Sequence, residues 1–259
     1  MTANEPGILD PVPGGPRKPK SDLPARASSA FVMICIAGAA LFAGGWIFAG
    51  FVGLVSIGLI AEFGKLVFRM RMGNAAQLAL IIFGLFYIGL AGFMLIELRT
   101  QQPDEMGIFN TLTPIILVIA TDVGAYFSGR KFGGAKIAPR ISPSKTWAGL
   151  YGGMAASALL AVMMEQIKIT YLAQGYIGID GDPLSPRFGT VILVGAAVAV
   201  LAQMGDFFES YMKRRAGVKD SGRLIPGHGG LFDRTDGLMA VLFVYGLFVF
   251  LIAGGEVYW

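Results

Sequence analysis

The residues with the most obvious chemical potential gather in one segment near the C-terminal end of this 259-residue chain, residues 205–236. The segment contains five carboxylates interleaved with six basic side chains: Asp206, Glu209, Asp220, Asp233, Asp236, Lys213, Arg214, Arg215, Lys219, Arg223 and Arg234. A signal for membrane topology accounts for the basic residues but not for the acidic ones, because acidic residues contribute little to topology. Carboxylates bind Mg²⁺, while Arg and Lys neutralise phosphate charge. The segment therefore predicts a site for a Mg²⁺-bound polyphosphate.

The spacing of these residues predicts that helices position them. If the helix before the segment continues into it, four polar residues lie at i, i+3, i+4 and i+7 on one face: Asp206, Glu209, Ser210 and Lys213. Asp233 and Asp236 are three apart, so they share a face if the next helix begins there. Asp236 alone also fits a capping role, since an acidic residue near a helix N-terminus is favoured by the dipole.

The loop between these two helices, residues 221–230, is rich in glycine. Four glycines in nine residues allow backbone N–H groups to approach a phosphate without obstruction by side chains. The chain has one histidine, His228, which is flanked by glycines and lies next to Gly229. Two roles remain open for His228, namely contact with a phosphate or a proton, and the structuring of the loop.

A second polar segment lies upstream, at residues 121–149. Asp122 lies about six residues inside the fourth predicted span, which places it at a depth of roughly 9 Å. An ionisable group there is a functional candidate, and a helix-stabilising contact is the alternative. Ser144 and Lys145 precede the fifth span, where a helix N-terminus with a lysine predicts either an anion site or an ordinary N-cap. For Glu62 the expected partner is Lys65, three residues on along the second span.

The composition indicates a membrane protein. Hydrophobic residues make up 54% of the chain and charged residues 15%, against about 25% charged in soluble domains. The mean hydropathy is +0.64. One cysteine and one histidine exclude a zinc cluster of the Cys/His type. The sequence thus predicts an all-α polytopic membrane bundle.

A spanning helix needs about 20 apolar residues. The first apolar region, residues 30–68, is about twice that length, so we expect it to fold back near Gly44 and Gly45, with spans ending near Trp46 and Leu66. The other predicted spans are Ala75–Leu98, Ile108–Phe127, Thr146–Glu165, Phe188–Phe208 and Gly237–Gly254. The total is about seven, or eight to nine if stretches such as Gln166–Ile179 enter the membrane. Gly149 and Gly153 form a G-x-x-x-G pattern that predicts close helix packing.

The basic residues predict the orientation. Segments 1–30, 65–74, 128–145 and 209–235 hold 18 of the 21 Lys and Arg residues, and these would be cytoplasmic by the positive-inside rule. We therefore expect a cytoplasmic N-terminus, a disordered tail over residues 1–29, and one transmembrane catalytic domain over 30–259. Its cytoplasmic loops would be 128–145 and 209–235.

The run SYMKRRAGVKDSGRLIPGHGGLFDRTD, residues 210–236, resembles the signature of the phosphatidate cytidylyltransferases, also called CDP-diglyceride synthases. The upstream runs TDVGAYFSGR and ISPSKTWAG are similar to a cytoplasmic loop of the same family. The resemblance covers residues 121–236, and the N-terminal spans resemble the family only in hydrophobicity.

The resemblance implies that CTP and phosphatidate, a membrane lipid, react to CDP-diacylglycerol and diphosphate. It implies a homodimer in a bacterial-type inner membrane, with the active site facing the cytoplasm, and no nucleic acid partner. One or two Mg²⁺ ions are the expected cofactor, with a monovalent cation as a further candidate. The implied metal ligands are Asp206, Asp233, Asp220 and Asp236, and the implied catalytic residues are Asp206, Lys219, Asp220 and Asp233. The implied substrate-binding residues are Asp122, Ser144, Lys145, Ser210, Lys213, Arg214, His228, Gly229 and Arg234.

Other functions remain as alternatives. A CTP-dependent enzyme could act on another lipid, such as an archaeol-type phosphate, or as a polyprenol kinase, which would release CDP. A CDP-alcohol phosphotransferase is disfavoured because its D-G-x-x-A-R pattern is absent. A transporter using Asp122 and Glu62 predicts flux without nucleotide turnover. The absence of an internal repeat weakens that alternative.

Overall fold

The structure is a computed structural model of the chain, and it describes residues 23–100, 104–172, 188–222, 224 and 229–252. Seven α-helices account for most of these residues: α1 Leu23–Ala43, α2 Gly45–Arg69, α3 Asn74–Thr100, α4 Asp104–Phe132, α5 Trp147–Ile167, α6 Phe188–Arg215 and α7 Phe232–Leu251. Six helices, α2 to α7, are long and apolar enough to cross a membrane, and the apolar part of α1, Ser28–Ala43, is shorter. The predicted all-α polytopic bundle is confirmed.

The predicted fold-back of the first apolar region is confirmed at two glycines. Helix α1 ends at Ala43, and Gly44 and Gly45 have positive φ values of 63° and 47°, which are costly for a residue with a Cβ atom. The side chain of Arg99 is buried against this turn, and its Nε donates to the carbonyl oxygen of Leu41 at 2.9 Å. A buried guanidinium thus satisfies a carbonyl group at the end of α1.

The segment between α4 and α5 differs from the prediction of a loop over residues 128–145. Helix α4 runs five residues beyond the predicted end of its span, to Phe132. An antiparallel hairpin of β1 (Lys136–Ala138) and β2 (Ser142–Thr146) follows. The hairpin satisfies backbone hydrogen bonds that a loop would leave to water. The amphipathic stretch Gln166–Ile179 forms a short π-helix at Lys168–Leu172, and its part beyond residue 172 lies outside the described residues.

Small residues hold α4, α5 and α6 at close range. A Cβ atom added at Gly149 would stand 3.0 Å from the carbonyl oxygen of Ala125, and one at Gly153 would stand 3.0 Å from that of Thr121. This confirms the predicted packing role of the G-x-x-x-G pattern, because lipid offers helices no hydrophobic drive to associate and close contact replaces it.

Helices α6 and α7 come into close contact at Gly205. An added Cβ atom there would lie 2.3 Å from the carbonyl oxygen of Asp236, well inside contact distance. Helix α2 packs on α3, and α3 on α7, around a core that includes Phe63, Ile88 and Phe232. Two helices that each carry acidic residues are therefore in backbone contact at the depth of those residues.

The contact at Gly205 leads to a prediction about the thermal stability of the protein. We expect Gly205→Ala to lower the melting temperature in detergent, because the added methyl group forces the two helices apart at a cost of about 1–3 kcal/mol. Gly189→Ala on the same helix is the matched control, since nothing lies within 4 Å of its added Cβ atom. Equal melting temperatures for both variants would contradict the importance of this contact.

Candidate active site

The centre of the candidate site is a pair of carboxyl groups on neighbouring helices. Asp206 on α6 and Asp236 on α7 are both partly buried and lie within hydrogen-bonding reach of each other. Gly205 allows this, because the backbones of α6 and α7 meet one residue away from Asp206. Two carboxyl groups at this range repel when both are ionised. The pair therefore favours a bound cation or a shared proton.

The hairpin of β1 and β2 places a lysine next to the carboxyl groups of Asp206 and Asp236. Lys145 on β2 donates from its Nζ to Oδ2 of Asp206, and Asp122 on α4 lies close enough to interact with both. The structure thus brings together Asp122, Lys145 and Asp206, which the sequence places in two segments more than 60 residues apart.

In the upstream segment, Asp122 is exposed at the surface of the bundle, and α4 continues for ten residues beyond it. Ser144 and Lys145 lie on strand β2, directly before the N-terminus of α5. The predicted alternative of an N-cap is confirmed at Thr146, whose Oγ1 accepts from Gly149 N at 3.1 Å. Ser144 is exposed, and adjacent residues of a strand point to opposite faces, so it lies away from Lys145.

A second group of charges lies one turn further along α6. Helix α6 continues past the predicted end of its span at Phe208, and α7 begins at Phe232, ahead of the predicted start at Gly237, so the condition for the shared faces is met. Lys213 lies between two carboxylates, with its Nζ 2.5 Å from Oε2 of Glu209 and 2.7 Å from Oδ1 of Asp233. Glu209 is 2% exposed, and its Oε1 has no hydrogen-bond partner among the described residues. Lys213 therefore cross-links α6 and α7 through opposite charges.

Asp233 is already saturated with donors. Besides Lys213 on Oδ1, its Oδ2 accepts from Ser221 N, Ser221 Oγ and Gly230 N, each at 2.9 Å. A carboxylate with this many donors is well placed to hold the glycine-rich loop against the start of α7. A metal ion at Asp233 would have to compete with these donors.

Glu62 on α2 also contacts the glycine-rich loop, which sequence reasoning missed. It is 1% exposed, and its Oε2 accepts from Phe232 N at 2.9 Å and lies 3.2 Å from Ser221 Oγ. The expected pair with Lys65 is wrong, because Glu62 turns towards the loop and the N-terminal turn of α7. Its Oε1 has no hydrogen-bond partner in the described part of the chain.

The glycines of the loop make room for these carboxylates. A Cβ atom at Gly222 would lie 2.0 Å from Oε1 of Glu62, and one at Gly230 would lie 2.0 Å from Oγ of Ser221. Gly229 has a φ of 87°, and its own Cβ position lies 3.1 Å from Oδ2 of Asp233. A side chain at Gly222 or Gly230 would collide with Glu62 or Ser221, and the positive φ of Gly229 favours glycine there, in addition to any role towards a phosphate.

A basic cavity adjoins the loop. It has a volume of about 640 Å³ and is lined by Lys65, Leu66, Arg69, Val218, Lys219, Asp220, Ser221 and Gly222. Lys65 and Arg69 come from α2, where they follow Glu62 at i+3 and i+7 and so share its face. Three ionisable residues at helical spacing, at the end of an otherwise uncharged span, are the signal that sequence reasoning overlooked.

The carboxyl groups outnumber the ammonium groups in this network. Lys145 contacts Asp206, and Lys213 contacts Glu209 and Asp233. Three further carboxyl groups adjoin these, since Asp122 and Asp236 lie beside Asp206 and Glu62 is joined to Asp233 through Ser221. Within residues 23–252, where described, no three acidic, His or Cys side chains converge as a preformed metal site. The excess of carboxyl groups favours a cation whose remaining ligands come from a substrate.

The remaining predicted residues are scattered around this network. Asp220 is exposed and lines the basic cavity with Lys219, so the four predicted metal ligands do not form one group. Ser210 is partly buried, and Arg214 and Arg234 are exposed. The prediction for His228 lies outside the described residues.

Comparison with known proteins adds an independent finding. Residues 66–252 match the sequence profile of the cytidylyltransferase family. The chain is 39% identical over 167 residues to a phosphatidate cytidylyltransferase of Brucella suis, which covers 63% of this chain and 55% of that protein. It is 33% identical over 200 residues to one of Rickettsia bellii, covering 76% and 79%, and 33% identical over 180 residues to one of Bacillus subtilis, covering 68% and 59%. The chain thus spans little more than half the length of the Brucella relative.

Glu62 provides a test of how the loop is held. We expect Glu62→Ala to speed amide hydrogen exchange of residues 216–222 and 229–232 about tenfold and to lower the melting temperature, because Phe232 N would lose its acceptor at a cost of about 1–3 kcal/mol. Glu62→Gln keeps one oxygen and should lie between the two. Glu105→Ala, which removes an exposed carboxylate from α4, is the control. Unchanged exchange in Glu62→Ala would refute this role.

Proposed function

Because the chain belongs to the cytidylyltransferase family, as its sequence resemblance predicted, we propose that it transfers the cytidylyl group of CTP to phosphatidate. The products would be CDP-diacylglycerol and diphosphate. The observation that carries this proposal is the convergence of Asp206, Asp236 and Lys145, joined to the basic cavity by the network of Lys213, Asp233 and Ser221. The charged ends of the spanning helices are where we place the membrane boundary. A soluble nucleotide and a lipid phosphate can meet only at such a boundary.

The proposed reaction needs no covalent enzyme intermediate. An oxygen of the phosphatidate phosphate attacks the α-phosphorus of CTP and forms a new P–O bond. The bond from the α-phosphorus to the bridging oxygen breaks, and diphosphate leaves with the electron pair. The nucleophile is already an anion, so the barrier consists largely of charge repulsion and alignment, which fixed cations reduce.

The residues present fit a divalent cation, as their excess of carboxyl groups indicates. Asp206 and Asp236 would hold Mg²⁺, with the phosphates of CTP as further ligands, and the ion would supply charge neutralisation at the reacting phosphates. Asp233, implied as a ligand by the family resemblance, fits a positioning role better because four donors already occupy its oxygens. When the lipid phosphate binds, Lys145 would move from Asp206 to that phosphate and neutralise its charge.

The basic cavity suits the leaving diphosphate. Lys219, predicted as a catalytic residue, lines it together with Lys65 and Arg69, which the family resemblance did not include. Asp220 at its rim could orient these cations. The cavity shares Ser221 with the network of Asp233 and Glu62, so a diphosphate bound there would lie next to the loop.

We also propose that this side of the bundle, with the N-terminus, is cytoplasmic, and that the chain forms a homodimer in the inner membrane.

The assignment of Asp206 and Asp236 is tested by Asp206→Asn and Asp236→Asn in detergent with radiolabelled CTP and phosphatidate. We expect each to reduce formation of CDP-diacylglycerol about 100-fold or more, the scale of losing one electrostatic contact to a transition state. Glu105→Gln makes the same change of charge at an exposed position of α4 and should keep full activity. Wild-type rates in both Asp variants would refute the assignment, and release of CDP in place of diphosphate would indicate a lipid kinase.

The role of the basic cavity is tested by Lys65→Ala and Arg69→Ala. We expect each to raise KM for CTP about tenfold with a smaller change in kcat, because losing one contact to a phosphate costs on the order of 1.4 kcal/mol in binding. Arg71→Ala is the control, since Arg71 follows α2, is exposed and does not line the cavity. An unchanged KM for CTP in both variants would exclude the cavity as a nucleotide site.

A further inference from the structure

A second cavity lies deeper in the bundle, between α4, α5, α6 and α7, with a volume of about 770 Å³. Leu117, Leu201 and Val241 line its near end. Each of these is five residues along its own helix from a carboxylate of the site, the three carboxylates being Asp122, Asp206 and Asp236. At 1.5 Å of rise per residue, the cavity begins about 7 Å below the site on three helices at once. The cavity therefore lies deeper along these three helices than the carboxylates of the site.

The lining changes character along the length of the cavity. Near the site it is apolar, with the buried side chains of Ala161 and Val198 at its floor. Thr113 and Tyr245 add two hydroxyl groups part of the way along, and four further polar side chains lie towards the far end: Asn110, Glu165, Lys168 and Thr190. From Leu201 to Thr190 there are eleven residues of α6, or about 16 Å. Half of the hydrocarbon core of a bilayer is about 15 Å, which is the span of one ordinary acyl chain.

We propose that this cavity binds one acyl chain of the lipid substrate and limits the length of chain that the enzyme accepts. The proposal rests on the proposed function, since the lipid phosphate must lie at Asp206 and Asp236 for its chain to enter below them. A chain longer than about 16 Å would cover the side chains of Glu165, Lys168 and Thr190, which are partly or fully exposed at the far end of the cavity. Covering polar groups with hydrocarbon is unfavourable, so the far end acts as a stop.

Ala197 offers a direct test. It lines the cavity, and its side chain is exposed to that space, so a larger side chain can enter the cavity without displacing a helix. We expect Ala197→Phe to lower the ratio of kcat/KM for dipalmitoyl over dioctanoyl phosphatidate at least tenfold, because the burial of several methylene groups is lost. Ala155→Phe adds the same ring to an exposed position of α5 outside the cavity and should leave the ratio unchanged.

The remaining outcomes distinguish failure of the acyl-chain proposal from failure of the proposed function. If the wild-type protein makes no CDP-diacylglycerol, the proposed function fails; if it does and Ala197→Phe keeps the wild-type ratio, the acyl-chain proposal is overturned. Equal loss on both lipids, together with a change of oligomeric state by light scattering, would show a contact between copies and would also overturn it. Should Ala197→Phe fold poorly, Val244→Phe on α7 narrows the same cavity.

A measurement independent of turnover completes the test. A phosphatidate with a photoreactive diazirine at the end of one acyl chain should label residues of α4, α6 or α7 that line the cavity, as mapped by mass spectrometry of the wild-type protein. Dipalmitoyl phosphatidate should compete for this labelling more strongly than the dioctanoyl lipid. Labelling spread evenly over lipid-facing residues such as Leu193 and Leu159 would contradict the proposal.

Discussion

The whole site depends on the backbone contact between α6 and α7 at Gly205. This contact sets the distance between Asp206 and Asp236, and it allows Lys213 to reach Glu209 on its own helix and Asp233 on the next. Carboxyl groups in a partly buried position are costly unless cations or donors compensate them. The protein compensates part of the charge with two lysines and leaves the rest near Asp206 and Asp236, where a substrate-bound cation is proposed to bind.

Helix α2 has a larger part in the site than its apolar sequence suggests. Glu62 supports the loop and the first turn of α7, and Lys65 and Arg69 line the basic cavity. The match to the family begins at residue 66, so Glu62 and Lys65 lie just outside it while their contacts are made to residues well inside it. A residue can therefore be structurally part of the site without lying in the segment that identifies the family.

The basic cavity, the carboxyl groups and the apolar cavity follow one another from the loops towards the middle of the bundle. Under the proposed function, a nucleotide phosphate would bind in the first, a lipid phosphate at the second and hydrocarbon in the third. The order follows from the helices themselves, which carry charged residues at one end and apolar or small residues in the middle.

The sequence was informative about local features. The fold-back at Gly44 and Gly45, the shared face of Asp206 and Lys213 on α6, and the packing at Gly149 and Gly153 all follow from local periodicity or from small residues, and the structure agrees with each. The bundle of spanning helices follows from the length of the apolar runs. The family resemblance likewise rested on contiguous residues.

The sequence by itself therefore determined the helices, the residues that face the same way on each helix, and the segments that carry chemistry. Only the tertiary structure decided which carboxylates meet: Asp206 with Asp236 and Lys145, and Glu62 with Ser221 in place of Lys65. It also placed Lys145 on a strand that leads directly into the N-cap of α5 at Thr146. The physical reason is that helical periodicity fixes neighbours within a turn. Contacts between residues 61 or 159 positions apart depend on how closely whole helices pack, which small side chains and the compensation of buried charge decide together.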